Sequence, residues 1–261
     1  MWERFKNDFK KYFAYAKFSA KSDLKAEVAS SYLNWLWWIL DPLLFMLVYT
    51  FIAVIVFKSN VEYFPVFVFV GLTLWNFFSK NVQGSVKMVR QNSSIVSKVY
   101  IPKYILVLQK MMVNGFKMMV SWGLIVIMMI IYRVPVTWNV LYMIPIMVVL
   151  VLTTFGLSCI VLHFGVFIDD LFNVTQVVLR LIFYMSGIFY SIGDRLEDPY
   201  KSILLNCNPI SMLIESSRNC LLYSATPYRK MILFWGIVSV LLSVIGVRII
   251  YKYENSYVKV M

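Results

Sequence analysis

Between residues 138 and 167 the chain carries no Asp, Glu, Lys or Arg. About 20 residues of helix cross the hydrocarbon core of a bilayer, so this run is long enough to span it. Other apolar runs follow the same pattern and are too long and unbroken for the short alternating strands of a membrane β-barrel. The pattern predicts an all-α polytopic membrane protein.

The composition indicates the same class. Apolar residues make up 61% of the 261 residues, and charged residues make up 15%. Soluble domains are usually about 45–50% apolar. The chain therefore has too few charged side chains to cover a water-facing globular surface.

The apolar runs predict six transmembrane helices. They are expected at residues 35–57, 64–78, 111–132, 138–167, 171–192 and 231–250. Lys117 lies close enough to one end of the third for its ammonium group to reach the membrane surface.

Basic residues are concentrated in two segments, residues 1–34 and 79–104. Because cytoplasmic segments of membrane proteins carry the excess of Lys and Arg, both segments are predicted to be cytoplasmic. Six spans then return the C-terminus to the same side and leave residues 193–230 outside. This bias also accounts for the net charge of +12, so no nucleic-acid partner is expected.

The N-terminal segment is predicted to form an amphipathic helix. Its apolar residues recur at spacings of three and four: Trp2, Phe5, Phe9, Tyr12, Phe13 and Ala16. A basic helix with aromatic residues on one face is typical of the headgroup region of a membrane. The alternative is a soluble helix docked on another protein chain.

The segment at 193–230 is too polar to span a membrane and is predicted to hold two short re-entrant helices. Asn208 and Pro209 have the order of a helix N-cap followed by proline at the first helical position. Glu215 and Arg218 are three residues apart and can pair on one helix face.

No catalytic residue and no metal site is predicted. The sequence has no glycine-rich phosphate loop, and His163 is its single histidine. Asp169 and Asp170 are adjacent, so they point apart, and a solvated turn is the simpler interpretation. Cys207 and Cys220 are placed outside, where they could pair, but free thiols fit three cysteines better.

A polar stripe follows the fifth predicted span. Its residues are three or four apart: Asn173, Gln176, Arg180, Tyr184, Gly187 and Ser191. Arg180 would lie near the middle of the membrane, where a cation requires a polar surrounding. One hypothesis is that the stripe lines a hydrated translocation path in which Arg180 meets an anionic substrate. The other is that Arg180 is structural and pairs with Asp41, Asp170 or a backbone carbonyl.

Trp38, Phe45 and Tyr49 share one face of the first predicted span. Aromatic rings there can contact sugar rings of a substrate, and they can equally form a membrane-interface belt or pack between helices.

Three separated motifs resemble the membrane subunits of ABC type-2 exporters, the permeases of teichoic-acid, O-antigen and related polysaccharide transporters. They are LKAEVASSYLNWLWWILDPLLFMLVYT at 24–50, GLTLWNFFSKNVQGSVKMVRQNSSIVSKVYIPKYIL at 71–106 and NPISMLIESSRNCLL at 208–222. Two positions depart from the family pattern. Ile168-Asp169-Asp170 stands where an Arg-Asp pair is common, and Ser186-Gly187 stands where Ser-Pro is frequent, which suggests a different bend in the fifth helix.

The resemblance implies a homodimer bound to two copies of a separate ATPase, which would hold the ATP and Mg. No cofactor is expected on this chain. It also implies that residues 79–104 include a coupling helix whose contacts with the ATPase involve Lys87, Arg90, Ile95, Lys98 and Tyr100. Val86, Val89 and Ile95 are expected to hold this segment against the bundle. The alternative is a plain basic loop that follows the topological charge bias.

The function expected from this resemblance is ATP-driven export of a lipid-linked polysaccharide or teichoic-acid polymer across a bacterial plasma membrane. One alternative is a drug or small-lipid exporter of the same family. A membrane enzyme acting on polyprenyl-linked sugars is a third class, for which Asp169 and Asp170 are the only carboxylate pair of interest.

Overall fold

A computed structural model describes residues 2–29, 32–56, 61–195 and 197–260, and within these residues the chain is helical and contains no strand. The α-helices are α1 (Trp2–Ala29), α2 (Trp37–Thr50), α3 (Phe64–Val86), α4 (Met88–Gln91), α5 (Ser93–Val96), α6 (Lys103–Ile131), α7 (Met143–Phe167), α8 (Leu171–Met185), α9 (Ile192–Arg195), α10 (Tyr200–Cys207), α11 (Pro209–Leu221) and α12 (Arg229–Val260). A π-helical stretch, Phe51–Val56, continues α2, and 3₁₀ turns at Asn34–Leu36 and Trp138–Tyr142 precede α2 and α7.

The prediction of an all-α membrane protein is confirmed. In the described part of the chain, three helices are long and apolar enough to cross a bilayer: Lys103–Ile131, Trp138–Phe167 and Arg229–Tyr257. Two shorter apolar helices, Trp37–Thr50 and Leu171–Met185, lie in the first and fifth predicted spans. The total of six spans remains a prediction.

The helix bounds differ from the predicted spans mainly where polar residues extend a helix beyond its apolar part. Helix α3 continues eight residues past the predicted end at 78, and α6 begins eight residues before the predicted start at 111. These extensions take up much of the segment predicted as a loop at 79–104. The fourth predicted span coincides with Trp138–Phe167, while residue 57 of the first lies outside the described residues.

Helix α3 is the centre of the bundle. Every residue from 66 to 75 is buried, and the helix packs against α2, α6, α7, α8 and α11. The run FPVFVFVGLTLW is apolar on all sides, which suits a helix that is either surrounded by other helices or in contact with lipid, and the packing shows that α3 is surrounded.

Helix α8 ends at Met185, before the predicted end of the fifth span at 192. Gly187 follows with φ of 64°, a left-handed conformation that favours glycine, and a side chain there would collide with Ile192. The turn at Ser186-Gly187 therefore redirects the chain out of the helix, at the position where the family pattern suggested a different bend.

Helix α11 is held in place by Arg218, whose side chain is completely buried. Its guanidinium group donates hydrogen bonds to the backbone oxygens of Phe67 (3.1 Å), Gly187 (2.7 Å) and Ile188 (2.8 Å). It also pairs with Glu215 at 3.5 Å, as their spacing predicted, and lies 3.4 Å from the centre of the Phe67 ring. One side chain thus joins α11, the central helix and the turn after α8.

The start of α11 is also as predicted. The side-chain oxygen of Asn208 accepts hydrogen bonds from the backbone N–H groups of Ile210 and Ser211, and Pro209 occupies the first helical position. Helices α10 and α11 correspond to the two short helices expected in the segment at 193–230. Cys207 and Cys220 are free thiols, one exposed and one buried.

Contacts between loops define the two ends of the bundle. At one end, Ser224 and Asn139 join the turn after α6 to the segment before α12. At the other end, the segment between α3 and α6 contacts the turn between α7 and α8 through Arg90 and Asp169. The start of α1 also lies there, against Glu254 near the end of α12. We call these the outer end and the inner end, after the sides on which the charge bias predicts them.

Candidate functional site: the inner end and its cavity

The segment between α3 and α6 forms two single-turn helices, α4 and α5. Val86 and Val89 are buried and hold the segment against the bundle, as expected. The expectation for Ile95 was wrong: its side chain is 41% exposed, and its neighbour Val96 is buried instead. Successive helix residues point about 100° apart, and here Val96 faces the bundle while Ile95 points away from it.

Ile95, Lys98 and Val99 form an exposed edge of this segment. Two aliphatic side chains next to a lysine are an unusual combination to leave in water at the tip of a loop. We call these three residues the inner edge.

Two of the predicted coupling residues contact the bundle and do not extend freely into solvent. Arg90 pairs with the carboxylate of Asp169 and donates to the backbone oxygen of Val166 at 3.0 Å. The ammonium group of Lys87 lies 4.1 Å from the centre of the Phe172 ring. Arg90 and Lys87 therefore hold the segment against the turn between α7 and α8 and the first residues of α8. We call these two contacts the brace.

Exchanging the charges of this brace provides a test of its importance. We expect Arg90→Glu to place two carboxylates side by side and to lower the melting temperature of the purified protein, because like charges at contact repel. The double variant Arg90→Glu/Asp169→Arg restores an opposite pair and should recover most of the lost stability. A melting temperature of the double variant no higher than that of Arg90→Glu alone would show that the pair does not act as a unit.

Tyr100 joins the same segment to both terminal helices. Its hydroxyl accepts a hydrogen bond from Arg4 at 2.7 Å and donates one to Glu254 at 2.8 Å, while Arg4 contacts Glu254 at 2.6 Å. Burial and the hydrogen bond to Glu254 raise the pKa of Tyr100 to about 12. The hydroxyl thus keeps its proton at neutral pH and remains a donor. We call Arg4, Tyr100 and Glu254 the terminal clasp.

The polar stripe lies largely on one exposed face of α8. Asn173, Gln176, Arg180 and Tyr184 are all exposed. Asp41, one of the partners considered for Arg180, instead contacts Lys80 at 3.8 Å, and among the described residues no carboxylate lies within 4.0 Å of Arg180. Ser191 is separated from the stripe because α8 ends before it, and its hydroxyl donates to Glu215 at 3.3 Å.

The aromatic residues of α2 lie in different surroundings. Tyr49 stacks on Phe189 with ring centres 4.0 Å apart, and Phe45 stacks beside Tyr49. Trp38 contacts Phe116 of α6 edge-on and lines a cavity. Tyr49 therefore packs on the turn after α8 and Trp38 on another helix, while the sugar-contact hypothesis for these residues stays a prediction.

A polar cavity of about 720 Å³ lies between α1, α3, α6 and α8, close to α4. Its uncharged polar lining is rich in amides: Ser79, Gln83, Gln91, Gln109, Asn114 and Gln176. A second cavity of about 290 Å³ adjoins it and shares Lys80, Asn114 and Lys117 with it. Of the predicted path residues, Gln176 lines the larger cavity and Trp38 the smaller one, while Arg180 and Tyr184 line a neighbouring recess.

The sequence reasoning missed most of the cavity lining because the residues come from four distant helices. Lys117 was interpreted only by its position near a span end. A usable signal was present on α6, where Lys110, Asn114 and Lys117 stand at i, i+4 and i+7 and so share a face. Two lysines and an asparagine on one face of an apolar helix indicate a polar neighbour.

Comparisons with known proteins give consistent results. Residues 18–222 match the family model described as ABC-2 type transporter. The chain is 27% identical to an "O-antigen export system permease protein RfbA" of Klebsiella pneumoniae over 92% of each chain. It is 30% identical to a protein of the same name from Myxococcus xanthus, over 74% of this chain and 75% of the relative.

The match to the family model includes α2, the segment with α4 and α5, and the capped helix α11, which are the regions of the three motifs. Since it extends over most of the sequence, this chain belongs to the ABC-2 type transporter family.

Proposed function

We propose that this chain is the membrane subunit of an ATP-driven exporter that moves a lipid-linked polysaccharide from the cytoplasm to the cell exterior. The observation that carries the proposal is the similarity to O-antigen export permeases along almost the whole chain. These relatives favour a polysaccharide over a teichoic-acid polymer, a drug or a small lipid as cargo.

The proposed assembly is a homodimer in a bacterial plasma membrane, with both termini cytoplasmic and two copies of a separate ATPase at the inner end. The ATPase would bind the ATP and Mg. The inner edge supports this arrangement, because Ile95 and Val99 are 41% and 55% exposed and are flanked by Lys98. Aliphatic side chains at the centre of a contact with a charged rim are typical of protein interfaces.

The brace and the terminal clasp explain how force could reach the spans. The segment with α4 and α5 is tied through Arg90 to the turn between α7 and α8, and through Tyr100 to α1 and α12. A displacement of the inner edge would therefore be transmitted to several helices together. Contacts that differ between two states of the ATPase are what can bias the permease.

The function is tested by deleting the gene in its host and measuring surface polysaccharide by immunoblot of whole cells. We expect the surface signal to disappear and lipid-linked polysaccharide to accumulate inside. Wild-type chain should restore export and should co-purify with an ATPase. Unchanged surface polysaccharide in the deletion strain would contradict the proposed cargo.

Ile95→Asp tests the inner edge in the same strain. A carboxylate at the centre of an apolar contact would be buried without a partner, so we expect the ATPase to be lost during purification and export to fail. Val136→Asp is the matched control, since Val136 is 67% exposed near the outer end and should leave ATPase binding unchanged. Equal recovery of the ATPase with both variants would exclude the inner edge as its docking site.

A further inference from the structure

The larger cavity carries three lysines, Lys80, Lys110 and Lys117, and one carboxylate, Asp23. Lys80 lies 3.8 Å from Asp41, and Lys117 lies 2.5 Å from Glu27. These two carboxylates line the smaller cavity, so the ammonium groups of Lys80 and Lys117 are held at the edge of the larger one.

Lys110 differs from the other two lysines. No carboxylate among the described residues lies within 4.0 Å of its ammonium group. Its aliphatic chain passes over Gly84 of α3, 3.7 Å from the point where a Cβ atom would stand. Asp23, the carboxylate on the wall of this cavity, accepts a hydrogen bond from Gln109 at 2.8 Å. Lys110 is therefore a partly buried cation with no carboxylate in contact among the described residues.

The amides of the cavity have unused hydrogen-bonding capacity. Gln83 donates to the backbone oxygen of Phe172 at 3.1 Å, which fixes the direction of its amide. Its side-chain oxygen is buried and has no hydrogen-bond partner, and the same is true of the Thr73 hydroxyl in the smaller cavity. The amides of Gln91 and Gln176 are exposed on the cavity wall, and an amide can both donate hydrogen bonds to the hydroxyl groups of a sugar and accept them.

An apolar surface borders the charged interior. Trp37, on the wall of the smaller cavity, is 46% exposed, and Phe116 and Met119 on the adjacent part of α6 are 43% and 68% exposed. A ligand that places an anionic, hydroxyl-bearing head in the cavity can therefore lay a hydrocarbon chain along this face. Free phosphate would bind only in the charged cavity and would not contact the apolar face.

We propose that the cavity binds the phosphorylated sugar end of a lipid carrier, with Lys110 as its main cationic contact. The proposal rests on the proposed function, in which the cargo is lipid-linked. The anion supplies a counter-charge for Lys110, and the long side chains of Lys80 and Lys117 can turn toward it from the carboxylates they now contact. A volume of about 720 Å³ lies within the range of cavities that hold small organic ligands.

Binding to the isolated chain tests this site without the ATPase. The purified full-length permease is placed in nanodiscs of phosphatidylcholine and titrated with farnesyl diphosphate, farnesol or inorganic pyrophosphate, with tryptophan fluorescence as the readout. We expect farnesyl diphosphate to bind most tightly, because it alone carries both a phosphate end and a hydrocarbon chain. Equal affinity for farnesol would overturn phosphate recognition, and equal affinity for pyrophosphate would overturn a lipid-borne ligand.

Variants of two lysines complete the test. Lys110→Gln should weaken farnesyl diphosphate binding about tenfold, while Lys110→Arg keeps the charge and should retain most of the affinity. Lys10→Gln is the matched control, since it removes the same charge from an exposed site on α1. Equal affinities for Lys110→Gln and Lys10→Gln would refute the site, as would loss of binding in nanodiscs that also contain phosphatidylglycerol.

The outcomes for this site and for the proposed function are separate. A deletion strain with unchanged surface polysaccharide would argue against the cargo, whatever the isolated chain binds. Export that depends on the wild-type gene, together with full binding by Lys110→Gln, would argue against this cavity alone.

Discussion

Replacing Arg218 with leucine is expected to lower the free energy of unfolding by about 3–5 kcal/mol, the range for removing one partner from a buried charge pair. Leucine would leave Glu215 without its cation. It would also leave the backbone oxygens of Phe67, Gly187 and Ile188 without the donors they have now. Each unsatisfied buried acceptor adds a desolvation cost.

The measurement is thermal unfolding of the detergent-purified protein, followed by tryptophan fluorescence. Arg195→Leu is the control, because it removes an exposed arginine from α9 at the same outer end. If Arg218→Leu does not accumulate, Arg218→Lys provides the measurement. Lysine keeps the charge but cannot reproduce the planar guanidinium contacts, so an intermediate melting temperature is expected. Equal melting temperatures for the Arg218 and Arg195 variants would refute the anchoring role.

The second large effect is expected from a single methyl group at Gly165 in α7. A Cβ atom there would stand 2.8 Å from the carbonyl carbon of Val86 and still closer to its oxygen. These are backbone atoms at the end of α3, so no side-chain rotation can relieve the overlap. Helix α7 and the end of α3 must then separate, at a cost typical of overpacked cores, about 1–3 kcal/mol or more.

Gly165→Ala should also reduce export, because Val86 directly precedes the segment with α4 and α5. Gly123→Ala is a close control: Gly123 lies inside helix α6, and a Cβ atom there meets nothing within 4 Å. Alanine favours a helix over glycine by about 0.8–1.0 kcal/mol, so this variant should be at least as stable as wild type. Similar melting temperatures for the two alanine variants would show that the contact with Val86 can relax.

Local sequence rules predicted several details of the outer end because they act over three or four residues. The cap at Asn208 and the pairing of Glu215 with Arg218 both follow from spacing on one helix. The other contacts of Arg218 could not be predicted in this way. Phe67 is 151 residues away in the sequence, and its position becomes known only when α3 and α11 pack together.

The polar stripe shows where periodicity stops being informative. Asn173, Gln176, Arg180 and Tyr184 share a face of α8, as their spacing predicted. Ser191 fits the same pattern in sequence, but the left-handed residue Gly187 ends the helical geometry first. Glycine occurs within helices as well as just after them, so Gly187 alone did not show whether α8 would continue to Ser191 or end before it.

The lining of the larger cavity is a further feature that the sequence did not predict. Lys80 was assigned to the charge bias of cytoplasmic segments, Lys117 was interpreted by its position near a span end, and Lys110 was given no role. That these lysines line one cavity depends on how α3 packs against α6, a property of tertiary structure. The repeat of polar residues along α6 indicated a polar neighbour but did not identify it.

The two partners of Tyr100, Arg4 and Glu254, are 250 residues apart in the sequence, so translation delivers Arg4 long before Glu254. A nascent or truncated polypeptide that stops short of Glu254 therefore presents an inner edge lacking one of its supports. If the ATPase docks on this edge as proposed, it would meet a fully supported surface only once α12 has been made.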